Sequence, residues 1–155
     1  MIRPYCPADL EKLKEITGIC FAEVSIDANI EAQFGPIGSR DWRWRKLRHI
    51  DQDVEGQRAQ GVFVWEEKGQ VLGYITTRID VESRIGWIPN LAVRPQHQGR
   101  GLGRKLMEHA LDDLHRQGME AVKIETLAQN AIGSLFYPSM GFREVARQIH
   151  YLMRL

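Results

Sequence analysis

At 155 residues, the chain has the size at which one compact domain is the common outcome, because such a length buries about two-thirds of the unfolded surface in a single core. Charged residues make up 26% of the sequence, and their signs nearly cancel at a formal net charge of +1. That balance excludes non-specific recruitment to nucleic acid or to an anionic membrane. We therefore predict one domain over residues 1–155, with no nucleic acid or membrane partner and with any anion site built locally.

Cysteine usage argues against disulfides and metal sites. Only Cys6 and Cys20 are present, and neither lies in a CxxC pattern or in Cys/His metal-ligand spacing. No arginine-led apolar leader and no apolar run of about 18 residues opens the chain. We expect a reduced, cytoplasmic protein without a bound metal.

The first 60 residues predict one strand and two helices. A short strand at 2–5 precedes a helix that begins near Pro7, where apolar residues recur at helical spacing. Residues 24–40 predict a loop or broken helical turns, because Asp, Asn, Gly and Pro recur there without a sustained period. A second helix is predicted from Asp41 to about Gln60.

The next segment predicts three strands. Residues 61–67 and 71–79 are rich in β-forming side chains and flank the short turn Lys68-Gly69-Gln70, a pattern typical of an antiparallel hairpin. After a polar turn at 80–84, residues 85–93 predict another strand, which ends at Pro95.

The last third alternates helices and strands. Residues 101–117 predict a helix with a buried stripe at four-residue steps, formed by Leu102, Leu106, Ala110 and Leu114. Residues 121–126 predict a strand, Asn130 to Ser139 a short helix, and Phe142 to Leu155 two further short strands. The order predicts an α/β fold, with a mixed central sheet and helices on both faces.

A glycine-rich turn lies between the strand 85–93 and the helix that follows it. Unpaired backbone N–H groups and the positive end of the helix dipole face outward at such a junction and bind anions. Glycines at alternate positions let a phosphate approach the backbone, and three cations stand beside them. The residues are Gly99, Gly101 and Gly103 with Arg100, Arg104 and Lys105. The turn suits a pyrophosphate, and the alternative is a tight turn that uses glycine only for its positive φ.

Two nucleotide-binding motifs fail at this turn. A Walker A loop requires Ser or Thr after its lysine, and neither follows Lys105. A Rossmann fingerprint requires a third glycine where Leu106 stands.

Two ordered motifs resemble the GCN5-related N-acetyltransferase family. The strand end Leu91-Ala92-Val93-Arg94-Pro95 followed by Gln98-Gly99-Arg100-Gly101-Leu102-Gly103 is similar to that family's pyrophosphate loop. The second motif comprises Asn130, Ala131, Leu135, Phe136, Tyr137, Gly141 and Phe142. The resemblance implies an acyl-CoA N-acyltransferase fold and an N-acetyltransferase domain over residues 1–155.

The resemblance also implies where acetyl-CoA binds as the co-substrate. Backbone N–H groups of the loop would hold the CoA pyrophosphate, and the edge of the preceding strand would pair with the pantetheine amides. The implied residues are Leu91, Ala92, Val93, Gln98, Gly99, Arg100, Gly101, Leu102, Gly103, Arg104 and Asn130. For Asn130 the alternative is a helix N-cap without a ligand role. A bulge is implied in the strand, and Pro89-Asn90 is compatible with one.

The chemistry requires a proton acceptor, an oxyanion donor and a proton donor. Tyr137 is similar to the family's general acid, and the Leu91 N–H to its oxyanion donor. Glu125 is similar to the base glutamate of the branch that acetylates ribosomal protein N-termini, and we expect it on a strand inside the sheet. The alternatives are a packed tyrosine, a strand-end carboxylate paired with Lys123, and water as the base, since the strand 85–93 lacks a carboxylate or histidine.

The acceptor amine is not readable from the sequence. Small molecules, amino acids and protein N-termini all remain open, and a non-catalytic acyl-CoA sensor is the alternative in a different class. The resemblance places the acceptor site at the loop between the first two helices, at the 80–84 turn and at the last strand pair. Homodimers are the common outcome in that family.

Overall fold

The structure, a computed structural model, describes all residues from Met1 to Leu155. The strands are β1 (Ile2–Pro4), β2 (Val62–Glu67), β3 (Gln70–Arg78), β4 (Ile85–Val93) and β5 (Ala121–Lys123). The helices are α1 (Leu10–Cys20), α2 (Ile26–Phe34), α3 (Trp42–Asp53), α4 (Leu102–Arg116) and α5 (Ala131–Ser139). None of the helices combines the length and hydrophobicity that crossing a bilayer requires.

The five strands form one mixed sheet in the order β1-β2-β3-β4-β5. The first four are antiparallel neighbours, and β5 is parallel to β4. The hairpin of β2 and β3 turns at Lys68-Gly69, as predicted. A parallel neighbour needs a crossover, which α4 supplies. The prediction of a mixed sheet is confirmed.

Helices cover both faces of this sheet. The stripe of α4 packs on one face, and its four residues, Leu102, Leu106, Ala110 and Leu114, are all buried as predicted. Helices α1 and α3 cover the other face with Leu13, Ile16 and Ile50 against Val64 and Tyr74.

A β-bulge interrupts β4 at Ile88-Pro89, next to the place that the family resemblance implies. Thr76 is opposite Asn90 and Arg78 is opposite Trp87, so two residues of β4, Ile88 and Pro89, face one residue of β3. The extra residue resets the side-chain alternation, because each register step of one residue exchanges the faces. Asn90 therefore points toward α3.

One helix was not predicted. Residues 26–34 form α2 where we expected a loop or broken turns. Ser25 caps its start by accepting a hydrogen bond from the Ala28 N–H at 3.1 Å, and Gly35 with φ of 70° ends it. The helix buries no residue completely, so its apolar periodicity is weak.

The prediction for the last 30 residues is partly wrong. β5 ends at Lys123 rather than at residue 126, and residues 142–155 form no strand. Apolar side chains recur at every second position there and are exposed, among them Ile149, Tyr151 and Met153. Alternating apolar residues show only which side chains share a face. A strand also needs a neighbouring strand to pair with, and β5 offers an edge of only three residues.

Candidate active site

β4 and β5 separate after a short paired stretch. Residues 85–87 of β4 pair with 121–123 of β5, and neither chain pairs with the other beyond that point. β4 continues for six residues, to Val93. The gap between residues 88–93 and residues 124–129 is called the β4–β5 cleft below.

One backbone group of β4 points into this cleft. The Arg94 N–H donates to Leu72 O at 2.8 Å, which makes Leu72 and Arg94 a hydrogen-bonded pair. Antiparallel pairs alternate, so Leu91, opposite Ile75, is a non-hydrogen-bonded position whose N–H and C=O point away from β3. The Leu91 N–H is therefore available to an oxygen atom in the cleft.

The glycine loop, residues 98–104, lies at the far end of the same edge. Gly99 and Gly101 adopt φ of 75° and 79°, which only glycine reaches without strain. The first backbone N–H of α4 with a helical partner is that of Lys105, which donates to Gly101 O at 3.1 Å. The N–H groups of residues 99–104 thus have no main-chain partner and lie at the positive end of a 15-residue helix. This is the geometry of a phosphate cradle.

The cations beside the loop are held by neighbours. Arg100 donates to both oxygens of Glu67 at 3.2 and 3.1 Å, and Arg104 donates to Ser139 Oγ at 3.1 Å. The Lys105 ammonium lies 5.4 Å from the Trp65 ring. The sequence suggests three free positive charges at the rim, but Glu67 compensates Arg100. Main-chain N–H groups therefore carry more of the local positive potential than the sequence implies.

Gln98 and Asn130 organise the backbone at the two ends of the cleft. The Gln98 side chain donates to Val93 O at 2.9 Å and so fixes the turn from β4 into the loop. Asn130 Oδ1 accepts from the Gly133 N–H at 3.0 Å, while Asn130 Nδ2 donates to Thr126 Oγ1 at 3.0 Å. Asn130 is the N-cap of α5, which was the alternative role considered for it.

Tyr137 lies on α5 in a half-buried aromatic cluster. Its ring meets Phe136 and Phe142 edge to face, at centroid distances of 5.4 and 6.1 Å. Burial raises the pKa of Tyr137 to about 12, so the hydroxyl stays protonated at neutral pH. The hydroxyl has no hydrogen-bond partner within the protein.

Glu125 does not lie inside the sheet, and the expectation that it sits on an interior strand is wrong. β5 has ended two residues earlier, and the side chain is 61% exposed. The Trp87 indole N–H donates to Glu125 Oε2 at 2.6 Å, and Lys123 Nζ lies 3.7 Å from Glu125 Oε1. The carboxylate therefore lies at the solvent-exposed opening of the cleft, which we call its mouth, and its charge is not buried.

A polar network on the α3 side was missed by the sequence reasoning. It joins Lys46 and Asp53 of α3, Arg78 of β3 and Asn90 of β4, and we call it the α3 cluster. Lys46 Nζ donates to Asn90 Oδ1 at 3.0 Å, and Asn90 Nδ2 donates to Asp53 Oδ2 at 2.8 Å. Arg78 Nη2 donates to Asp53 Oδ1 at 2.6 Å. The only local signal was a polar residue, Asn90, in an otherwise apolar strand.

The start of α2 and the segment after β5 also meet. Gln129 Nε2 donates to Glu23 O at 2.6 Å, and Asn29 Nδ2 donates to Gln129 Oε1 at 2.9 Å. These contacts join residues about 100 positions apart along the chain. They place the start of α2 beside residues 124–129, which form one wall of the cleft.

Comparison with known proteins agrees with this geometry. A family model described as the Acetyltransferase (GNAT) family matches residues 24–142, which include the glycine loop and all of α5. The chain belongs to this family. The match confirms the resemblance drawn from the two motifs.

Several GNAT relatives align with the chain. The [ribosomal protein bS18]-alanine N-acetyltransferase of Escherichia coli is 32% identical over 89 residues, which are 57% of this chain and 59% of that protein. The mycothiol acetyltransferase of Streptomyces coelicolor is 26% identical over 153 residues, covering 86% of this chain and 50% of that protein. The chain thus spans between half and three-fifths of the length of these two relatives.

A solved GNAT structure confirms the fold. The PaiA N-acetyltransferase of Thermoplasma acidophilum, in complex with coenzyme A, superposes with a TM-score of 0.72 at 20% identity. The alignment covers 92% of this chain and 89% of that one. The acyl-CoA N-acyltransferase fold expected from the sequence is therefore present.

The structure brings some of the predicted site residues together. Leu91, Ala92 and Val93 and the glycine loop follow one another along a single edge, and Asn130 begins the helix that carries Tyr137. Glu125 stands apart, at the Trp87 end of the cleft and on the side that α3 covers. The side-chain roles of Tyr137 and Glu125 remain predictions.

Proposed function

We propose that the protein transfers an acetyl group from acetyl-CoA to a primary amine. The observation that carries the proposal is the β4–β5 cleft, with the Leu91 N–H directed into it and the free N–H groups of the glycine loop at its end. A backbone edge suits the pantetheine amides by strand addition, and a helix N-terminus suits a pyrophosphate.

The cofactor contacts follow from that edge. Leu91 to Val93 would pair with the pantetheine chain, and the backbone of Gln98 to Arg104 would hold the pyrophosphate. Because Val93 O already accepts from Gln98, the pairing groups on β4 are the N–H and C=O of Leu91 and the N–H of Val93. Asn130 caps α5, and in this role it would fix the position of the helix start on the cofactor side of the cleft.

In the reaction, the neutral amine attacks the thioester carbon, the new C–N bond forms, and the carbonyl oxygen becomes an oxyanion. The Leu91 N–H donates to that oxygen. The C–S bond then breaks, the nitrogen loses its proton, and the CoA thiolate leaves. Since a thiol has a pKa of about 8.5, a phenol with a pKa near 12 stabilises the thiolate chiefly as a hydrogen-bond donor. This is the role that we assign to Tyr137.

The base is Glu125, acting directly or through a water at the mouth of the cleft. Its bond from the Trp87 indole orients one oxygen and leaves the exposed carboxylate accessible to the acceptor. At pH 7 an α-amine is already neutral about one time in ten, whereas a lysine side chain is neutral about once in 2,500. An exposed carboxylate is a modest base, so the site favours an α-amine. The alanine named as acceptor of the E. coli relative agrees with this choice.

The test measures thiol release from acetyl-CoA in the presence of small amines, amino acids and short peptides, with acetyl-CoA binding followed by calorimetry. We expect binding together with turnover on α-amines. Absence of binding would refute the proposal. Binding without turnover on any amine would favour the alternative, a non-catalytic acyl-CoA sensor.

A further inference from the structure

Lys46 is a positive charge without a carboxylate partner beside the β4–β5 cleft. The two carboxylates whose charge acts on it, Asp27 and Asp53, are each paired with another cation. Asp27 pairs with Arg45 at 3.2 Å, and Asp53 pairs with Arg78 at 2.6 Å. The region therefore carries one uncompensated cation.

Two contacts hold the Lys46 ammonium in place. It lies 4.2 Å from the centre of the Phe21 ring, and it donates to Asn90 Oδ1 at 3.0 Å. An ammonium has three N–H donors, so two remain after the bond to Asn90. Burial lowers the pKa of Lys46, which reflects the cost of keeping this charge away from water. An anion bound beside it would offset that cost.

The position of Asn90 connects Lys46 to the reacting atoms. Asn90 and Leu91 are consecutive, and the N–H assigned to the oxyanion belongs to the peptide bond between them. Asn90 presents its side chain to Lys46 on the α3 face, whereas the Leu91 N–H points along the sheet into the cleft, so the two groups lie on adjacent residues of one strand. An anion held by Lys46 therefore lies on the α3 side of the point of attack.

We propose that Lys46 binds the carboxylate of the acceptor and that the acceptor is a free α-amino acid. In an α-amino acid the amine nitrogen and the carboxylate oxygens lie about 3 Å apart, so a carboxylate bound to Lys46 from the cleft brings its own amine toward the Leu91 N–H. A peptide N-terminus has a neutral amide carbonyl at that point and gains less from an ammonium. The assignment rests on the proposed acetyl transfer and narrows its acceptor.

The experiment compares each amino acid with its own amide, for example alanine with alaninamide, at saturating acetyl-CoA. The two compounds differ in the carboxylate and, because of it, in the pKa of the amine, so kcat/KM is calculated on the concentration of neutral amine. We expect kcat/KM to favour the amino acid by about 10- to 100-fold, the range of a charged hydrogen bond. In Lys46→Met this preference falls to near one through KM, while kcat/KM for the amide falls only by the smaller factor that comes from the lost bond to Asn90. Lys46→Arg restores part of the preference.

Lys12→Met is the matched control, because Lys12 is an exposed lysine on α1 with no ion pair. It should leave both kcat/KM values unchanged. The proposal is wrong if the wild-type protein favours amides or alanyl peptides, or if Lys46→Met lowers both acceptors equally, which would indicate a structural tie between α3 and β4.

The failure of acetyl transfer is distinguishable from the failure of this inference. If no amine is acetylated, calorimetry on the CoA-saturated protein still compares alanine with alaninamide. Alanine binding that is lost in Lys46→Met supports the carboxylate site, and equal binding of both compounds overturns it.

Discussion

The two sides of the β4–β5 cleft present different kinds of chemical group. The cofactor side, β4 residues 91–93 with the glycine loop, presents main-chain N–H and C=O groups whose positions depend on glycine conformations and on a helix start. The opposite side, the α3 cluster with Glu125 and Trp87, presents side chains from separate elements. A main-chain site tolerates most side-chain changes, whereas a side-chain site is lost with one substitution. The second side is therefore the one that a few substitutions can alter.

The largest effect is expected between the two sides, at Tyr137. Tyr137→Phe removes only the hydroxyl and keeps the aromatic packing with Phe136 and Phe142. We expect kcat to fall about 100-fold or more, since a positioned hydrogen-bond donor to a developing negative charge contributes that much. Acetyl-CoA binding measured by calorimetry should stay within twofold of wild type. Unchanged turnover would remove Tyr137 from the mechanism and leave it as a packing residue.

The α3 cluster should lose both stability and acceptor binding when Asp53 is neutralised. Asp53→Asn leaves Arg78 without its charge partner, and the pair is 2% exposed on the Asp53 side and 29% on the Arg78 side. We expect the free energy of unfolding in urea to fall by about 3 kcal/mol, at the low end for a broken buried pair because Arg78 is partly exposed. The acceptor KM should rise, because Asn90 loses the partner that orients it.

Asp9→Asn is the matched control for that variant. Asp9 is 1% exposed and pairs with Arg3 at 2.7 Å, on the edge of the sheet far from β4. It should lower stability without changing the acceptor KM. A rise in KM for both variants would show that lost stability alone accounts for the effect at Asp53.

The Asp9 pair also gives a pH dependence that belongs to neither side of the cleft. Hydrogen bonding to Arg3 lowers the pKa of Asp9 to about 2, below its unfolded value of about 3.9. The pair therefore stabilises the fold above pH 4, and this contribution is lost as the pH falls from 4 toward 2. It amounts to about 2 kcal/mol. Urea unfolding at pH 6 and pH 3 should show a smaller pH effect in Asp9→Asn than in wild type, and equal effects would contradict it.

The smallest effects test whether the glycine loop works through its backbone. Gly101 has φ of 79° and no atom within 4 Å of an added Cβ, so Gly101→Ala meets only backbone strain of about 1–2 kcal/mol. We expect a lower melting temperature and weaker acetyl-CoA binding. Gly103 has an ordinary φ, and an added Cβ would contact the Val93 side chain at 3.9 Å. Gly103→Ala should therefore change the free energies of unfolding and of acetyl-CoA binding by no more than about 0.5 kcal/mol each. Equal losses in both would point to steric exclusion of the ligand instead.

The sequence predictions succeed where the structure depends on residues that are close together in the chain. The stripe of α4 and the hairpin at Lys68-Gly69 were predicted because periodicity and turn residues act over a few neighbours. Helix α2 was missed because it buries no residue completely and depends on the Ser25 cap. The strands expected in 142–155 were wrong because alternation does not supply a pairing edge.

The candidate site divides in the same way. The sequence by itself determined the family and the glycine loop, and through the family resemblance a bulge next to Pro89, because each motif depends on residues adjacent in the chain. Only the tertiary structure decided that Glu125 is exposed beside Trp87, that Glu67 compensates Arg100, and that Lys46 meets Asn90 without a carboxylate partner. Those contacts join residues 33 to 44 positions apart, and their charges are balanced or left unbalanced by packing that no local pattern encodes.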